Sequence, residues 1–256
     1  MDPISIALPV GAVETTMLAS VRVAAFLVIA PPFSQRAVPA TIKVALALGI
    51  ALAVAPRLDP LPSDTTPAFV GSLVGQAVIG AALGFLVSMV FSAVQSAGSL
   101  IDLFGGFQLA TAYDPMSQSA NGPFGRLCQM TAMVLLFASD GYQVVLAGLV
   151  RTFDALPLGA LLDPAALGHT LTDGLTQMFL AALQIAGPLI VVLFLADVGL
   201  GLLTRVAPAL NAFAMGFPLK ILLTLVFGSL AFLALPTVME ALTGRSVEQM
   251  LGVVVP

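Results

Sequence analysis

The chain has 256 residues, of which 9% are charged and 59% are hydrophobic, and its mean hydropathy is +1.08. A soluble domain carries about 25% charged residues, so this composition excludes an ordinary cytosolic enzyme and a disordered chain alike. The formal charge of −4 argues against a nucleic-acid-binding protein, and the single Cys128 excludes an internal disulfide and a cysteine-based metal site. The composition predicts an integral membrane protein or a subunit buried in a larger assembly.

Six apolar segments follow one another along the chain, and each is long enough for a helix. They are rich in Ala, Leu and Gly and do not alternate between polar and apolar residues, which favours helices over strands. The predicted fold class is an all-α integral membrane protein with about six apolar helices, several of them kinked or hairpin-like. Prolines mark the predicted joints, including Pro218, and Gly187-Pro188 interrupts the fifth segment. The segments cover residues 15–30, 39–55, 68–101, 124–150, 175–204 and 219–239.

Aromatic residues of the kind that anchor a protein at a membrane interface are scarce. The chain has no Trp and two Tyr, so the usual interfacial belt is nearly missing. Two interpretations remain open at this point. The chain is either an unusual multi-span protein, or a protein whose surface faces other subunits more than lipid.

The third segment carries a signal for close helix packing. Small residues recur in it at every fourth position, and this spacing lets helix backbones approach one another. The pattern does not distinguish packing within the chain from packing against a partner. The candidate packing residues are Gly80, Gly84, Ser88, Ser92 and Ser96.

The linker at 104–125 separates two apolar segments and is rich in Gly, Ser, Gln and Asn, with interspersed Phe, Tyr and Met. A loop of about 20 residues between helices is often functional or else disordered. It is therefore either an external loop or a segment that folds into a channel and blocks it, since apolar constrictions gate by excluding water. The candidate plug residues are Gly105, Gly106, Phe107, Tyr113, Asp114, Pro115 and Met116.

Three charged residues fall within apolar segments: Arg22, Asp140 and Asp197. Burying a charge in a membrane is costly and often marks function, so we consider them candidate buried charges. They would form an ion or proton path, or they would pair with one another or with a partner, or lie near a helix end. We favour the structural interpretation, and Asp140 before Gly141 suits a helix end or kink.

No catalytic constellation is recognisable in the sequence. His169 is the single histidine, and it lies in a loop-like stretch. There is no phosphate-binding Walker loop and no dinucleotide fingerprint. We therefore predict a protein that is not an enzyme and uses no metal or cofactor.

The charges of the connecting segments predict an orientation. Five basic residues fall on one side of the predicted spans and three on the other, which weakly directs the first side to the cytoplasm and both termini outward. The first group is Arg36, Lys43, Arg126, Arg205 and Lys220, and the second is Arg57, Arg151 and Arg245.

Four blocks of the sequence, taken in order and spacing, resemble the FliR family of flagellar export-gate proteins. This family also includes the T component of virulence-type type III secretion systems. The blocks are 21–56, 95–115 (with AG..ID...GF and an Asp-Pro pair), 137–157 (with Asp140-Gly141) and RVAPALNAFAMGFPLK at 205–220. One departure is Gln76, where the family often has an acidic residue.

The resemblance implies a subunit of a flagellar protein export gate in the bacterial inner membrane, within the basal body. Residues 1–174 would form a FliP-like part and residues 175–256 a FliQ-like helical hairpin. One copy would complete a spiral of FliP-like and FliQ-like subunits around a channel for unfolded export substrates. The alternatives are a virulence-type export gate or, with less support, a secondary transporter that uses Asp140 and Asp197.

The resemblance also implies a cytoplasmic contact with an FlhB-like subunit near the channel opening. The turn between the last two apolar segments would make it. The candidate residues are Arg205, Pro208, Asn211, Phe213, Gly216, Pro218 and Lys220.

Overall fold

A computed structural model of the protein describes residues 10–35, 38–59, 65–108, 122–159, 163–207 and 212–252. Over these ranges the chain is helical and contains no strand, which confirms the predicted all-α class. The elements are α1 (Val10–Ile29), α2 (Ala40–Val54), a 3₁₀ turn (Ala55–Arg57), α3 (Thr66–Gly105), α4 (Pro123–Ala138), α5 (Gly141–Ala155), α6 (Pro164–Val206) and α7 (Ala212–Gly252).

Among the described residues, five helices are long and apolar enough to cross a membrane, and a sixth span results if α4 and α5 count as one broken span. This confirms the prediction of about six apolar helices. Helices α3, α6 and α7 have 40, 43 and 41 residues. At about 1.5 Å per residue each is about 60 Å long, or about twice the thickness of a bilayer's hydrocarbon core.

The predicted fourth segment is in fact two helices, because the backbone leaves the right-handed helical conformation at Asp140. This residue has a φ of 54°, in the left-handed region that ends a helix. Asp tolerates that conformation better than most residues because its short side chain can bond locally. The break between α4 and α5 therefore falls where the Asp140-Gly141 pair predicts a helix end or kink.

Prolines interrupt the helices less than predicted. Pro188 lies inside α6, and Pro218 and Pro236 lie inside α7. A proline removes one backbone hydrogen bond, but the apolar residues on both sides still need helical bonding in a bilayer. The predicted joint at Pro218 is therefore wrong, since α7 begins six residues earlier, at Ala212.

The described chain divides into two compact units. The first contains α1, α2, α3 as far as Ser88, α5 from Tyr142, the start of α6 and the end of α7. Its core includes the fully buried α1 residues Leu18, Val23 and Phe26. The second contains the rest of α3, α4, and the parts of α6 and α7 between Leu175 and Leu242. Its core consists of Ala97, Ile101, Phe124, Ala182, Ala186, Leu189 and Leu193.

Large apolar side chains remain exposed along α2, α6 and α7. Examples are Leu52, Phe194 and Leu233, the last of which is 78% exposed. A soluble monomer rarely exposes continuous apolar surface of this extent. These helices therefore require lipid or protein around them.

Candidate functional site

The candidate site is built around Asp102, a fully buried carboxylate near the end of α3. Its Oδ1 accepts a hydrogen bond from the backbone N–H of Phe124 at 3.0 Å, and its Oδ2 accepts one from Gly125 at 2.7 Å. These N–H groups belong to the first turn of α4, where helix donors have no partner within the helix. The carboxylate thus caps α4 from another helix and lies at the positive end of its dipole.

Glycines allow the two helices to meet at this point. Gly122 is the residue that precedes α4, and a Cβ there would overlap the Asp102 carboxyl group. A Cβ on Gly98 would lie 2.7 Å from the Cα of Gly125, closer than real atoms pack. Larger residues at either position would push α4 away from the carboxylate that caps it.

The end of α3 is fixed by backbone geometry. Gly106 has a φ of +81°, and the Phe107 N–H donates to the Asp102 carbonyl at 3.0 Å. This bond and a 3.4 Å bond from Gly106 to Leu103 form the glycine-dependent arrangement that commonly closes a helix. It directs the chain out of α3 immediately before residue 108.

Phe107 also packs against Phe124, so a residue before the segment 109–121 contacts a residue after it. Their ring centroids are 5.3 Å apart and the rings are inclined by 56°. Such tilted aromatic pairs are favourable beyond their buried area. We call residues 102–107 and 122–125 the loop base, because they precede and follow the segment 109–121.

The structure describes part of the predicted plug. Gly105, Gly106 and Phe107 belong to the loop base, beside Thr224 and Phe217 of α7. The remaining candidates lie outside the described residues; they are Tyr113, Asp114, Pro115 and Met116.

A second buried charge, Arg22 on α1, lies in the first unit. Its Nε donates to Oε1 of Gln76 at 2.6 Å, and its Nη2 donates to the Leu156 carbonyl at 2.9 Å. A longer bond of 3.3 Å joins Nη1 to the Thr152 carbonyl, and the guanidinium lies 4.4 Å from the centre of the Phe153 ring. The cation therefore occupies the C-terminal end of α5, where the helix dipole favours positive charge.

Gln76 completes this arginine cluster, which we define as Arg22, Gln76, Thr152, Phe153 and Leu156. Its Nε2 donates to the Leu158 carbonyl at 2.9 Å while its oxygen accepts from Arg22. An amide can do both, whereas a carboxylate can only accept. Gln76 therefore bridges the arginine and the chain beyond α5.

The small residues of α3 occupy two kinds of environment. A Cβ on Gly80 would overlap the Arg22 carbonyl oxygen, and one on Gly84 would lie 2.9 Å from the Phe26 carbonyl oxygen, so both glycines pack directly on α1. The other three, Ser88, Ser92 and Ser96, are half-buried.

Of the three charges predicted to be buried, Arg22 is buried in this chain, whereas Asp140 and Asp197 are exposed. This corrects the prediction for the two aspartates. Asp140 is exposed because it lies at the break between α4 and α5. Asp197 forms an ion pair with Lys220, with 2.7 Å between Oδ1 and Nζ, and its side chain is 44% exposed.

The candidate contact turn lies between α6 and α7. The Asp197–Lys220 pair, and the approach of Leu200 to Gly216, show that these helices run side by side as a hairpin. Arg205 lies at the end of α6, and Gly216, Pro218 and Lys220 lie near the start of α7. Pro208 and Asn211 are outside the described residues, as is the side chain of Phe213.

Asp102 and Gln76 were not among the predicted site residues. A signal for Asp102 exists in Gly122-Pro123, which marks a helix start at which the residue before the helix has no side chain for capping. A capping group must then come from elsewhere. Within the described ranges, no group of three or more His, Cys, Asp or Glu residues is arranged to hold a metal ion.

Residues 13–246 match the family model described as "Bacterial export proteins, family 1". The flagellar biosynthetic protein FliR of Escherichia coli (strain K12) is 37% identical over 204 residues, covering 78% of this chain and 77% of that protein. FliR of Bacillus subtilis (strain 168) is 28% identical, with 82% and 83% covered. The Yop proteins translocation protein T of Yersinia pestis is 30% identical, with 67% of each covered.

Proposed function

The chain belongs to family 1 of the bacterial export proteins, and on that premise we propose that it is a subunit of a flagellar type III protein export gate. The observation that carries the proposal is the match over residues 13–246, together with the similarity to FliR of Escherichia coli at 37% identity. A virulence-type gate is the alternative, since the Yersinia protein is 30% identical. The higher identity and coverage favour the flagellar system. The proposed role is non-enzymatic and needs no cofactor.

We propose that one copy assembles with FliP-like and FliQ-like subunits around the export channel. Residues 1–174 would take the FliP-like position and residues 175–256 the FliQ-like position. Exposed apolar side chains along α2, α6 and α7 support this assembly, because partner helices would cover them. Asp140 and Asp197 have structural positions, at a helix break and in an ion pair, so they do not favour the transporter alternative.

For the orientation, we propose a multi-pass protein of the inner membrane with both ends of the chain on the periplasmic side. The turn between α6 and α7 would then face the cytoplasm, with Arg205 and Lys220 near it. Basic residues prefer that side of a membrane. An FlhB-like subunit would bind at this turn.

We further propose that the segment 109–121 is a plug that closes the channel until unfolded substrates pass. Support comes from the loop base, where Phe107 touches Phe124 and Asp102 bonds to both sides of the segment. This arrangement brings the described residues before and after the segment together, which suits a segment that would enter and leave the channel at one point. Apolar residues within it would exclude water and ions.

The assembly is tested by native mass spectrometry of the detergent-extracted chain, co-expressed with its genomic neighbours. We expect one copy of this chain with several copies of two smaller helical membrane proteins. A stable monomer or homodimer, found under conditions that preserve a known export gate, would contradict the proposal.

The plug is tested by replacing residues 109–121 with a short Gly-Ser linker, which leaves the loop base intact. The complex should still assemble, but vesicles that contain it should leak ions faster than vesicles with the unmodified complex. A matched control replaces residues 60–64, the connection between the 3₁₀ turn and α3, with Gly-Ser of equal length. Equal leak rates for all three assembled complexes would refute the plug.

A further inference from the structure

Asp102 hydrogen-bonds to the chain both before and after the segment 109–121. Its backbone carbonyl accepts from Phe107, which precedes the segment, and its carboxylate accepts from Phe124 and Gly125, which follow it. We propose that Asp102 is a positioning residue that holds the start of α4 against the end of α3, and so fixes the loop base on either side of the segment 109–121. The proposal rests on the proposed function, because the loop base flanks the proposed plug.

The chemistry of α4 makes this carboxylate hard to replace. Pro123 has no backbone N–H, and Gly122 has no side chain with which to cap the helix. The next two N–H groups, of Phe124 and Gly125, both donate to Asp102. Among the described residues, no basic side chain forms an ion pair with it, so its charge is stabilised by the helix terminus alone.

Close packing of α3 on α4 brings the Asp102 carboxylate within hydrogen-bonding distance of the Phe124 and Gly125 N–H groups. Gly98 lies one turn before Asp102 on α3, and a Cβ there would come within 2.7 Å of both the Gly125 Cα and the Phe124 carbonyl oxygen. The backbones of α3 and α4 therefore touch at this point. Substituting Gly98 should separate the helices and weaken the same two hydrogen bonds without changing any charge.

Two variants remove the contact by different means. Asp102→Asn keeps the shape of the side chain but has one acceptor oxygen. It can therefore accept a hydrogen bond from only one of the two backbone N–H groups, and its NH₂ group faces the other. Gly98→Ala keeps Asp102 and adds a methyl group where no space exists. The control is Gly75→Ala, on the same helix, where nothing lies within 4 Å of the added atom.

The first readout is the position of the loop base in the full chain. Spin labels at Leu103→Cys and Leu127→Cys, two exposed positions on α3 and α4, report the distance between the helices in a Cys128→Ala background. We expect a single narrow distance distribution that broadens in Asp102→Asn and in Gly98→Ala but not in Gly75→Ala. Unchanged distributions in both variants would overturn the proposal.

The second readout is the ion leak of vesicles that contain the assembled complex, expressed per complex. Loss of one charge-assisted hydrogen bond should raise the population of the displaced loop base, and with it the leak, about tenfold. A residue with a merely structural role would lower the yield of the complex and leave the leak per complex unchanged. If Asp102→Asn does not assemble, Gly98→Ala decides the question.

The two proposals fail in different ways. If replacing residues 109–121 causes a leak while both variants remain tight, Asp102 does not position the segment, although the plug stands. If the replacement causes no leak, the plug is wrong. The spin-label distances then decide the positioning role on their own, broad distributions supporting it and unchanged ones refuting it.

Discussion

The arginine cluster and the loop base each stabilise a buried charge at a helix end, but the two charges have opposite signs. Arg22 is a buried cation at the C-terminal end of α5, and Asp102 is a buried anion at the N-terminal end of α4. Neither forms an ion pair with another described residue; each is stabilised by hydrogen bonds to backbone groups at a helix end. A buried charge in this chain therefore need not mark an ion path, since a helix end can stabilise it.

The two clusters differ in what surrounds them. Arg22 is held by the side chain of Gln76 as well as by carbonyl groups, and its ring neighbour Phe153 covers it. The donors to the Asp102 carboxylate that the described residues provide are backbone N–H groups, and Asp102 belongs to the loop base that flanks the segment 109–121. The comparison predicts that changes in the arginine cluster alter stability with little effect on leak, whereas changes in the loop base alter leak.

The largest expected effect is that of Arg22→Leu. The variant removes the Arg22 donors of the buried Gln76 oxygen and of the Leu156 carbonyl, and the Thr152 carbonyl keeps only its bond from the Leu156 N–H, so the free energy of unfolding should fall by about 3 kcal/mol or more. The buried thiol of Cys128 allows this to be measured, because a thiol-reactive fluorescent dye gains access when the protein melts in detergent. Arg22→Lys, with one ammonium group, should recover part of the loss. An unchanged melting temperature in Arg22→Leu would break the comparison.

The next effect tests the bridging amide. Gln76→Leu removes an acceptor for Arg22 and a donor for Leu158, and should cost about 2 kcal/mol. Gln76→Glu should cost less, about 1 kcal/mol, because a carboxylate binds the guanidinium more strongly but repels the Leu158 carbonyl. Dye-monitored melting of both variants ranks them. A Gln76→Leu protein more stable than Gln76→Glu would show that the amide's bridge does not stabilise the cluster.

Gly80→Ala should destabilise the first unit by about 1.5 kcal/mol, because the added methyl group overlaps the Arg22 carbonyl oxygen and forces α1 and α3 apart. Gly75→Ala, one turn and a residue earlier on α3, should be neutral or slightly stabilising, since alanine is the better helix former. The difference between their melting temperatures is the measurement. Equal values would mean that α1 and α3 do not pack as closely as described.

The smallest effect is expected at Asp140, a charge that belongs to neither cluster. Asp140→Gly should change the free energy of unfolding by less than about 0.5 kcal/mol, because glycine adopts a positive φ freely. Asp140→Val should cost about 1–2 kcal/mol for the opposite reason. Melting curves separate the two variants. If Asp140→Gly were as damaging as Asp140→Val, the carboxylate would have a role beyond its backbone conformation.

The sequence predicted the helices well and the contacts between them poorly, for different reasons. Hydropathy is a local property, so the class and most helices could be predicted, and Asp140-Gly141 correctly suggested the helix break. The predicted breaks at Pro188 and Pro218 were wrong. Local sequence rules assign a helix break to each proline, whereas the long apolar segments on both sides keep α6 and α7 helical.

The clusters depend on residues distant in sequence. Arg22 was predicted to be buried because it interrupts an apolar segment, but its partners lie on α3 and at the end of α5. Asp102 lies just beyond the apolar segment 68–101, so hydropathy did not mark it as a buried charge. The glycine before Pro123 signals a missing cap, yet only the packing of α3 on α4 shows which residue supplies it.

The separation of these partners along the chain has a consequence for synthesis. Asp102 and Phe124 are 22 residues apart, whereas Arg22 and the Thr152 carbonyl are 130 residues apart. At a translation rate of about 5–20 residues per second, Arg22 emerges roughly ten seconds before its α5 partners. During that interval the cation cannot enter the hydrocarbon core without cost, so α1 must wait in a polar environment, at the membrane surface or within the insertion machinery. Helix α1, made before the other described helices, is thus among the last to be completed.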